Sequence, residues 1–130
     1  MFKFDHSAIS VDNLEQSIAF YKLLGFKNDK EFHDENLDIV YLSLDGIRLE
    51  LFHYVKHNSL PDYYKNNDIN LHTVGNKHFA FRVEDILKAK KYIEDNKIYN
   101  DEIILKKGRT CKSYFFIKDP NGIYIEFIEK

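Results

Sequence analysis

Hydrophobic and polar residues along the first half of the chain follow a pattern that predicts strands on either side of one helix. Alternating positions predict a strand over 4–11, and apolar residues then recur at the spacing of one helical face. These apolar residues are Leu14, Ile18, Tyr21 and Leu24. Asp12 is the predicted N-cap, with Glu15 at capping-box spacing, and Gly25 suits the end of the helix. The remaining strands of this half are predicted at 26–33, 39–44 and 47–53.

The second half of the chain repeats the same order of periods. Its predicted elements are a strand over 78–83, a helix over about 85–95, a weaker strand near 102–106, and strands over 113–118 and 123–128. An Asn-Gly step separates the last two strands, and an Asp-Gly step separates the last two strands of the first half. Both steps are strong hairpin signals. Each half therefore predicts one βαβββ module.

An internal repeat supports this division. An offset of 72 residues places His6 on His78, and an offset of 76 places Glu50 on Glu126. The change of offset requires only a four-residue insertion in the second half. We therefore predict an α+β fold of two tandem βαβββ modules, forming a single domain over 1–130. The predicted parts are module 1 at about 1–55, a polar linker at about 56–76 and module 2 at about 77–130.

Composition narrows the function classes. Of the 130 residues, 44% are hydrophobic and 15% aromatic, which is enough for a folded core. A net charge of −2 gives no general attraction to nucleic acid or to an anionic membrane. No apolar run approaches the roughly 20 residues of a membrane span, and no signal peptide is recognisable at the N-terminus. The single Cys111 excludes an internal disulfide and a cysteine-based zinc site, so we expect a cytoplasmic protein.

Two glutamates stand in the middle of apolar strands. Taken alone, each could be a solvent-exposed residue on a half-wet sheet, and each histidine could be a hydrogen-bonded strand residue. The repeat favours another interpretation, because each module supplies one histidine and one glutamate at the same places. A buried carboxylate without a partner is costly, and a divalent cation would supply the partner. We therefore predict a metal site with the ligands His6, Glu50, His78 and Glu126. The donors suit Ni, Co, Mn, Fe or Zn, and the sequence leaves the identity of the metal open.

Four segments carry a family resemblance. They lie at 6–26, 47–52, 78–86 and 119–129, and the last reads D-P-N-G-I-Y-I-E-F-I-E. They resemble the vicinal oxygen chelate superfamily, which includes glyoxalase I, fosfomycin-resistance proteins, extradiol dioxygenases and bleomycin-resistance proteins. The resemblance implies a glyoxalase-like fold and the ligand pattern of bacterial glyoxalase I, the lactoylglutathione lyase. It also implies a metal-dependent lyase or isomerase with a metal-stabilised enediolate, in which Glu126 or Glu50 acts as the base.

The sequence departs from that pattern at the glutathione contacts. Bacterial glyoxalase I tends to have arginine and asparagine where this chain has Ser10 and Tyr54. Other cations are candidates for substrate binding, because a guanidinium fork suits a carboxylate or a phosphate. These candidates are Arg48, Arg82, Lys107 and Arg109. The alternatives are ion pairs for the first two and a solvated hairpin over 106–112 for the others.

Three activities remain open on these grounds. The first is a glyoxalase-like reaction on a small carbonyl compound or its hemithioacetal with a low-molecular-weight thiol. The second is another metal-dependent reaction, either an epimerisation or thiol transfer to an electrophile such as an antibiotic epoxide. The third is non-catalytic binding of a small molecule, as in resistance proteins. A homodimer is expected from the resemblance. The histidines without a repeat partner are expected at the surface or in loops: His33, His53, His57 and His72.

Overall fold

The chain is divided between Ser59 and Leu60 into two units, Met1–Ser59 and Leu60–Lys130, in a computed structural model that describes residues 1–130. Each unit contains one four-stranded sheet and one helix of ten residues. The predicted α+β fold of two βαβββ modules is confirmed. No helix has the length and apolar character that crossing a membrane requires.

The first unit follows the predicted order of elements. They are β1 (Ser7–Ser10), α1 (Leu14–Leu23), β2 (Lys27–His33), β3 (Leu37–Leu44) and β4 (Ile47–Tyr54). The sheet order is β1-β4-β3-β2, with β1 parallel to β4 and the other neighbours antiparallel. The first and last strands of the module are therefore adjacent, and Ala8 lies opposite Glu50.

The helix of the first unit begins one residue later than predicted. Asn13 is the N-cap, and its side-chain oxygen accepts a hydrogen bond of 3.0 Å from the backbone N–H of Gln16. The prediction of Asp12 as the cap was therefore wrong, because the residue next to it satisfies the free N–H group. At the other end Gly25 has a φ of +102°, and its N–H donates to the Lys22 carbonyl. A left-handed residue in that position ends the helix as predicted.

The core of the first unit lies on one face of its sheet. Val40 and Leu42 of β3 pair with Leu51 and Leu49 of β4, and all four are buried, as is Tyr21 of α1. Burying each aliphatic side chain stabilises the unit by roughly 1.5–3 kcal/mol relative to exposure. Because strand side chains alternate, the residues between them, including Glu50, face the opposite side of the sheet.

The second unit has the same topology. It begins with a 3₁₀ turn (Asp62–Lys65) and α2 (Asn67–His72), and continues with β5 (Phe79–Val83), α3 (Ile86–Asp95), β6 (Lys106–Lys107), β7 (Ser113–Lys118) and β8 (Tyr124–Glu129). The sheet order is β5-β8-β7-β6, with β5 parallel to β8, and Ala80 lies opposite Glu126. Phe115 and Phe127 stack with their ring centroids 5.0 Å apart in the core of this unit.

The structure differs from the predicted elements in three places. The predicted loop segment at 56–76 contains the 3₁₀ turn and α2, which begins where the Asn66 side chain accepts from the Ile69 N–H. A six-residue helix is too short for its period to be recognised. The weak strand near 102–106 is reduced to the two residues of β6. Finally, β1 and β5 each begin one residue after the histidine, so His6 and His78 immediately precede their strands.

Candidate functional site

His6 and Glu50 form a close pair in the first unit. Because β1 runs parallel to β4, the residue before β1 reaches the middle of β4. The Nε2 atom of His6 lies 2.8 Å from an Oε atom of Glu50. Glu50 is only 7% exposed, so the interpretation of a solvent-exposed glutamate does not hold at this position. A buried carboxylate requires such a partner.

Further side chains hold this pair in place. Tyr41 lies opposite Glu50 in the β3–β4 ladder, and its ring meets the His6 ring edge-on with centroids 5.5 Å apart. Interaction with the Glu50 carboxylate, with some desolvation, raises the pKa of Tyr41. On the far side of the His6 ring, Nδ1 lies 2.6 Å from Asp5, and that hydrogen bond lowers the pKa of the Asp5 carboxyl.

Arg48 completes the contacts around the pair. Its guanidinium lies 4.6 Å from the centroid of the Tyr41 ring, 3.6 Å from Asp5 and 3.1 Å from Asp29. Arg48 therefore forms ion pairs, which was the alternative to substrate binding in the sequence analysis. A role of Arg48 in substrate binding remains a prediction. The five residues Asp5, His6, Tyr41, Arg48 and Glu50 are linked by these contacts, and we call them the module 1 network.

The second unit contains the equivalent pair with different surroundings. The Nε2 atom of His78 lies 3.1 Å from an Oε atom of Glu126. The residue opposite Glu126 is Phe116, which has no hydroxyl and packs edge-on against the His78 ring at 4.9 Å. The Nδ1 atom of His78 is buried and has no hydrogen-bond partner. Glu126 is half-buried, whereas Glu50 is buried.

The donor atoms of each pair fit one divalent cation. Ligands about 2.1 Å from an ion at right angles to each other lie about 3.0 Å apart. The measured separations of 2.8 Å and 3.1 Å agree with that spacing. Imidazole and carboxylate donors together suit the borderline cations of the first transition row. Within the structure, no three histidine, cysteine, aspartate or glutamate side chains are grouped closely enough to hold a metal ion, so each pair stands as a two-donor set.

The other predicted substrate-binding cations lie in the second unit. Arg82 is exposed on β5, and Lys107 is exposed on β6. Arg109 is exposed in the hairpin between β6 and β7, where the Gly108 N–H donates to the Lys112 carbonyl at 2.9 Å. This segment forms a solvated hairpin, and its role as an anion clamp is untested.

The histidines without repeat partners have other contacts. His33 and His53 each place Nδ1 on one oxygen of Asp38, at 2.7 Å and 3.0 Å. His57 lies 2.6 Å from Asp12. Since Asp38 and His53 pair in the β3–β4 ladder beside the core residues, His53 faces away from Glu50, as alternation along the strand predicts.

Sequence reasoning missed the residues that surround the pairs, above all Tyr41 and Phe116. Their positions could have been found from the hairpin turn. Once Leu44 and Ile47 flank the Asp-Gly step, counting back along both strands places Tyr41 opposite Glu50. The same count in the second hairpin is less direct, because four residues of the turn separate Lys118 from Ile123.

Known proteins resemble this chain in sequence and in fold. The family model described as "Glyoxalase/Bleomycin resistance protein/Dioxygenase superfamily" matches residues 3–127. A lactoylglutathione lyase of Neisseria meningitidis is 28% identical over 136 residues, covering 96% of this chain and 88% of that protein. A probable trivalent organoarsenical cleaving enzyme of Bacillus subtilis is 31% identical, covering 96% and 78%. The crystal structure of a glyoxalase family protein from Enterococcus faecalis superposes with a TM-score of 0.81 at 27% identity, covering 98% and 97%.

Proposed function

Because the chain belongs to the Glyoxalase/Bleomycin resistance protein/Dioxygenase superfamily, we propose that it is a metal-dependent lyase or isomerase of the glyoxalase I type. Its substrate is a small carbonyl compound or the hemithioacetal of that compound with a thiol. The observation that carries this proposal is the His–Glu pair at the same place in both modules, with donor separations of 2.8 Å and 3.1 Å. Proteins that only bind a small molecule have no need of two such pairs.

The proposed ligands of one divalent ion are His6, Glu50, His78 and Glu126, and this set of four is built either within one chain or across the expected homodimer. Ni, Co, Mn, Fe and Zn all accept this donor set. When bound, the ion would stabilise negative charge that develops on substrate oxygens. Binding through Nε2 would place a proton on the buried Nδ1 of His78, and that N–H group has no acceptor in this structure.

The proposed base is Glu126. It takes the proton from the carbon beside the carbonyl group and returns it to the neighbouring carbon, so the reaction is an internal proton transfer. Burial supports this choice over Glu50. The Glu126 side chain is 19% exposed, against 9% for Glu50, so it has more room to move.

The thiol, if one is used, need not be glutathione. Ser10 ends β1 without a cation, and the Tyr54 ring stacks on Phe52 at 6.3 Å. Neither residue reproduces the charged or amide contact that grips glutathione in the resembling enzymes. Arg82, Lys107 and Arg109 are the proposed contacts for an anionic part of the substrate, because all three are exposed.

Metal content tests the proposal directly. Purified protein, reconstituted with each candidate cation and then desalted, is measured by elemental analysis beside a His6→Ala, His78→Ala double variant. A matched control removes two other histidines, His33 and His53, in the same way. We expect a single ion per chain in the wild type and control, and none in the double variant. Two ions per chain would show that each pair binds its own ion, and no metal in the reconstituted wild type would overturn the proposal.

Activity is then measured with methylglyoxal and a panel of thiols, using the metal that binds most tightly. Glu126→Gln removes the base but keeps the shape and one oxygen ligand, so we expect bound metal with turnover reduced by at least about 100-fold. If the protein is an epimerase or a thiol transferase, it will bind the metal but show no turnover with any mixture of methylglyoxal and a thiol. A binding protein would capture its ligand equally well with and without the substitution. Light scattering on the same samples tests the expected homodimer.

A further inference from the structure

The sheet of the second unit carries an arginine on the same face as Glu126. Ala80 of β5 lies opposite Glu126 of β8, and two residues further along Arg82 lies opposite Ile128. Residues opposite each other on neighbouring strands point to the same face, and so do residues two apart on one strand. Arg82 therefore lies on the face that carries Glu126.

Lys106 completes the same row at the other edge of this sheet. Ile128 lies opposite Tyr114 of β7, and Tyr114 lies opposite Lys106 of β6. Lys107 lies opposite Ser113, one residue along, so it points to the other face. The row that shares the face of Glu126 therefore consists of Arg82, Ile128, Tyr114 and Lys106.

Ring contacts show that this row lies beside the proposed ligands of the second unit. Tyr114 packs edge-on against Phe116 with ring centroids 5.8 Å apart, and Phe116 packs edge-on against His78 at 4.9 Å. Two residues along a strand span about 7 Å, so the row and the proposed base are neighbours on one surface. Arg82 and Lys106 are both exposed, and neither takes part in an ion pair. The row is thus an apolar floor with an unpaired cation at each edge.

The first unit has no charged residue in the equivalent row. There Ser10 lies opposite Phe52, Phe52 lies opposite Ile39, and Ile39 lies opposite Phe32. The repeat offset of 72 places Ser10 on Arg82, so the arginine occurs in the second module only. Charges on edge strands also hinder edge-to-edge pairing, but that role does not require both cations on the face of the carboxylate.

We infer that Arg82 and Lys106 bind a carboxylate or phosphate group of the substrate, which is therefore an anionic hemithioacetal and not a neutral one. A guanidinium and an ammonium group without protein partners suit such an anion. This inference rests on the proposed function, because it assigns the anion to the substrate of the same site. The two cations contribute binding, and the proton transfer stays with Glu126. Losing either cation should therefore raise KM for an anionic substrate and leave kcat nearly unchanged.

Anion binding is tested first on protein freed of metal by dialysis. Mercaptoacetate and inorganic phosphate are titrated separately while the backbone amide signals are followed by NMR. We expect amides of β5 and β6 to shift with at least one anion and not with neutral β-mercaptoethanol, and the anion that binds tells a carboxylate site from a phosphate site. Arg82→Gln and Lys106→Gln should each weaken this binding by at least about fivefold, as expected for an exposed charge pair. Lys88→Gln removes an exposed charge on α3 and is the matched control, which should bind like the wild type.

Turnover of methylglyoxal with mercaptoacetate or β-mercaptoethanol then compares two thiols of similar size that differ in charge. Arg82→Gln should raise KM for the mercaptoacetate adduct by at least about fivefold, with kcat nearly unchanged, and should leave the neutral adduct unaffected.

Three results would decide against parts of this reasoning. The inference would be overturned if the wild type bound neither anion, or if Arg82→Gln bound them as well as the wild type. A larger loss in Lys107→Gln than in Lys106→Gln would also overturn it, because Lys107 lies on the other face. Wild-type protein that binds an anion through Arg82 but turns over no hemithioacetal would instead overturn the proposed function and leave the anion site standing.

Discussion

Replacing Glu50 by leucine should stabilise the metal-free protein while ending metal binding. Glu50 lies in the middle of β4, between the buried Leu49 and Leu51, and its side chain is 9% exposed. A carboxylate buried to this extent loses several kcal/mol of hydration, which its contact with His6 offsets only in part. A residue that lowers the stability of the folded protein is expected to have a functional role.

The magnitude follows from opposing contributions. Leucine would add apolar burial worth roughly 1.5–3 kcal/mol and remove the desolvation of the carboxylate. Against this, the contact of the carboxylate with His6 is lost, and a hydrogen bond to a charged group contributes about 1.5–3 kcal/mol. The His6 side chain is 32% exposed, so it can hydrogen-bond to water instead. We expect a net gain of about 1 kcal/mol, or about 4 °C in thermal midpoint for a chain of this size.

Urea denaturation in EDTA measures this change, with Glu50→Gln and Glu126→Leu alongside. Glu50→Gln removes the charge but keeps the shape, and Glu126→Leu should gain less because that side chain is 19% exposed. Elemental analysis of the same variants should show the loss of metal. If Glu50→Leu proved less stable than wild type by more than about 1 kcal/mol, the carboxylate would be part of the fold's stability and the argument from desolvation would fail.

Two further predictions concern stability alone. Asp38 and Glu31 raise the pKa of His33 by hydrogen bonding, so the stabilisation from His33 is complete below about pH 6.5 and is lost as pH rises through the raised folded pKa. Urea midpoints between pH 5.5 and 9 should fall with pH, and His33→Gln should flatten that fall. If the full fall persists in the variant, another titrating group causes it. Asp119 is buried and accepts from two backbone N–H groups of the β7–β8 turn, so Asp119→Ala should cost about 2 kcal/mol. Asp119→Asn keeps an acceptor and should cost less, and equal losses in both variants would show that charge rather than hydrogen bonding matters.

Much of the fold was determined by local pattern. Period-two and period-3.6 spacing located both ten-residue helices and the four long strands that form the hairpins, because these elements are long enough to show their period. The repeat also predicted that His6 would meet Glu50 and His78 would meet Glu126. That prediction depended on the parallel pairing of the first and last strands, which the repeated βαβββ order supports in both units.

Short elements and irregular ones escaped the pattern. α2 has only six residues and β6 has two, so neither gives a readable period. Asp29 contacts Arg48 because the register of β2 shifts between Asn28 and Lys30. A bulge of this kind turns a side chain toward a neighbour that regular alternation would not assign to it.

The sequence by itself determined the two modules, the four proposed ligands and their pairing. Residues at equivalent positions of a repeat occupy equivalent places in the two modules, and this holds whatever the side-chain packing is. Only the tertiary structure decided that the two pairs are unequal. Each module has the same donors, one histidine and one glutamate, at equivalent positions. The modules differ in the residue opposite the glutamate on the neighbouring strand, which is Tyr41 for Glu50 and Phe116 for Glu126. Hydrogen bonding and burial are properties of such contacts between distant residues, so they appear only once the chain is folded.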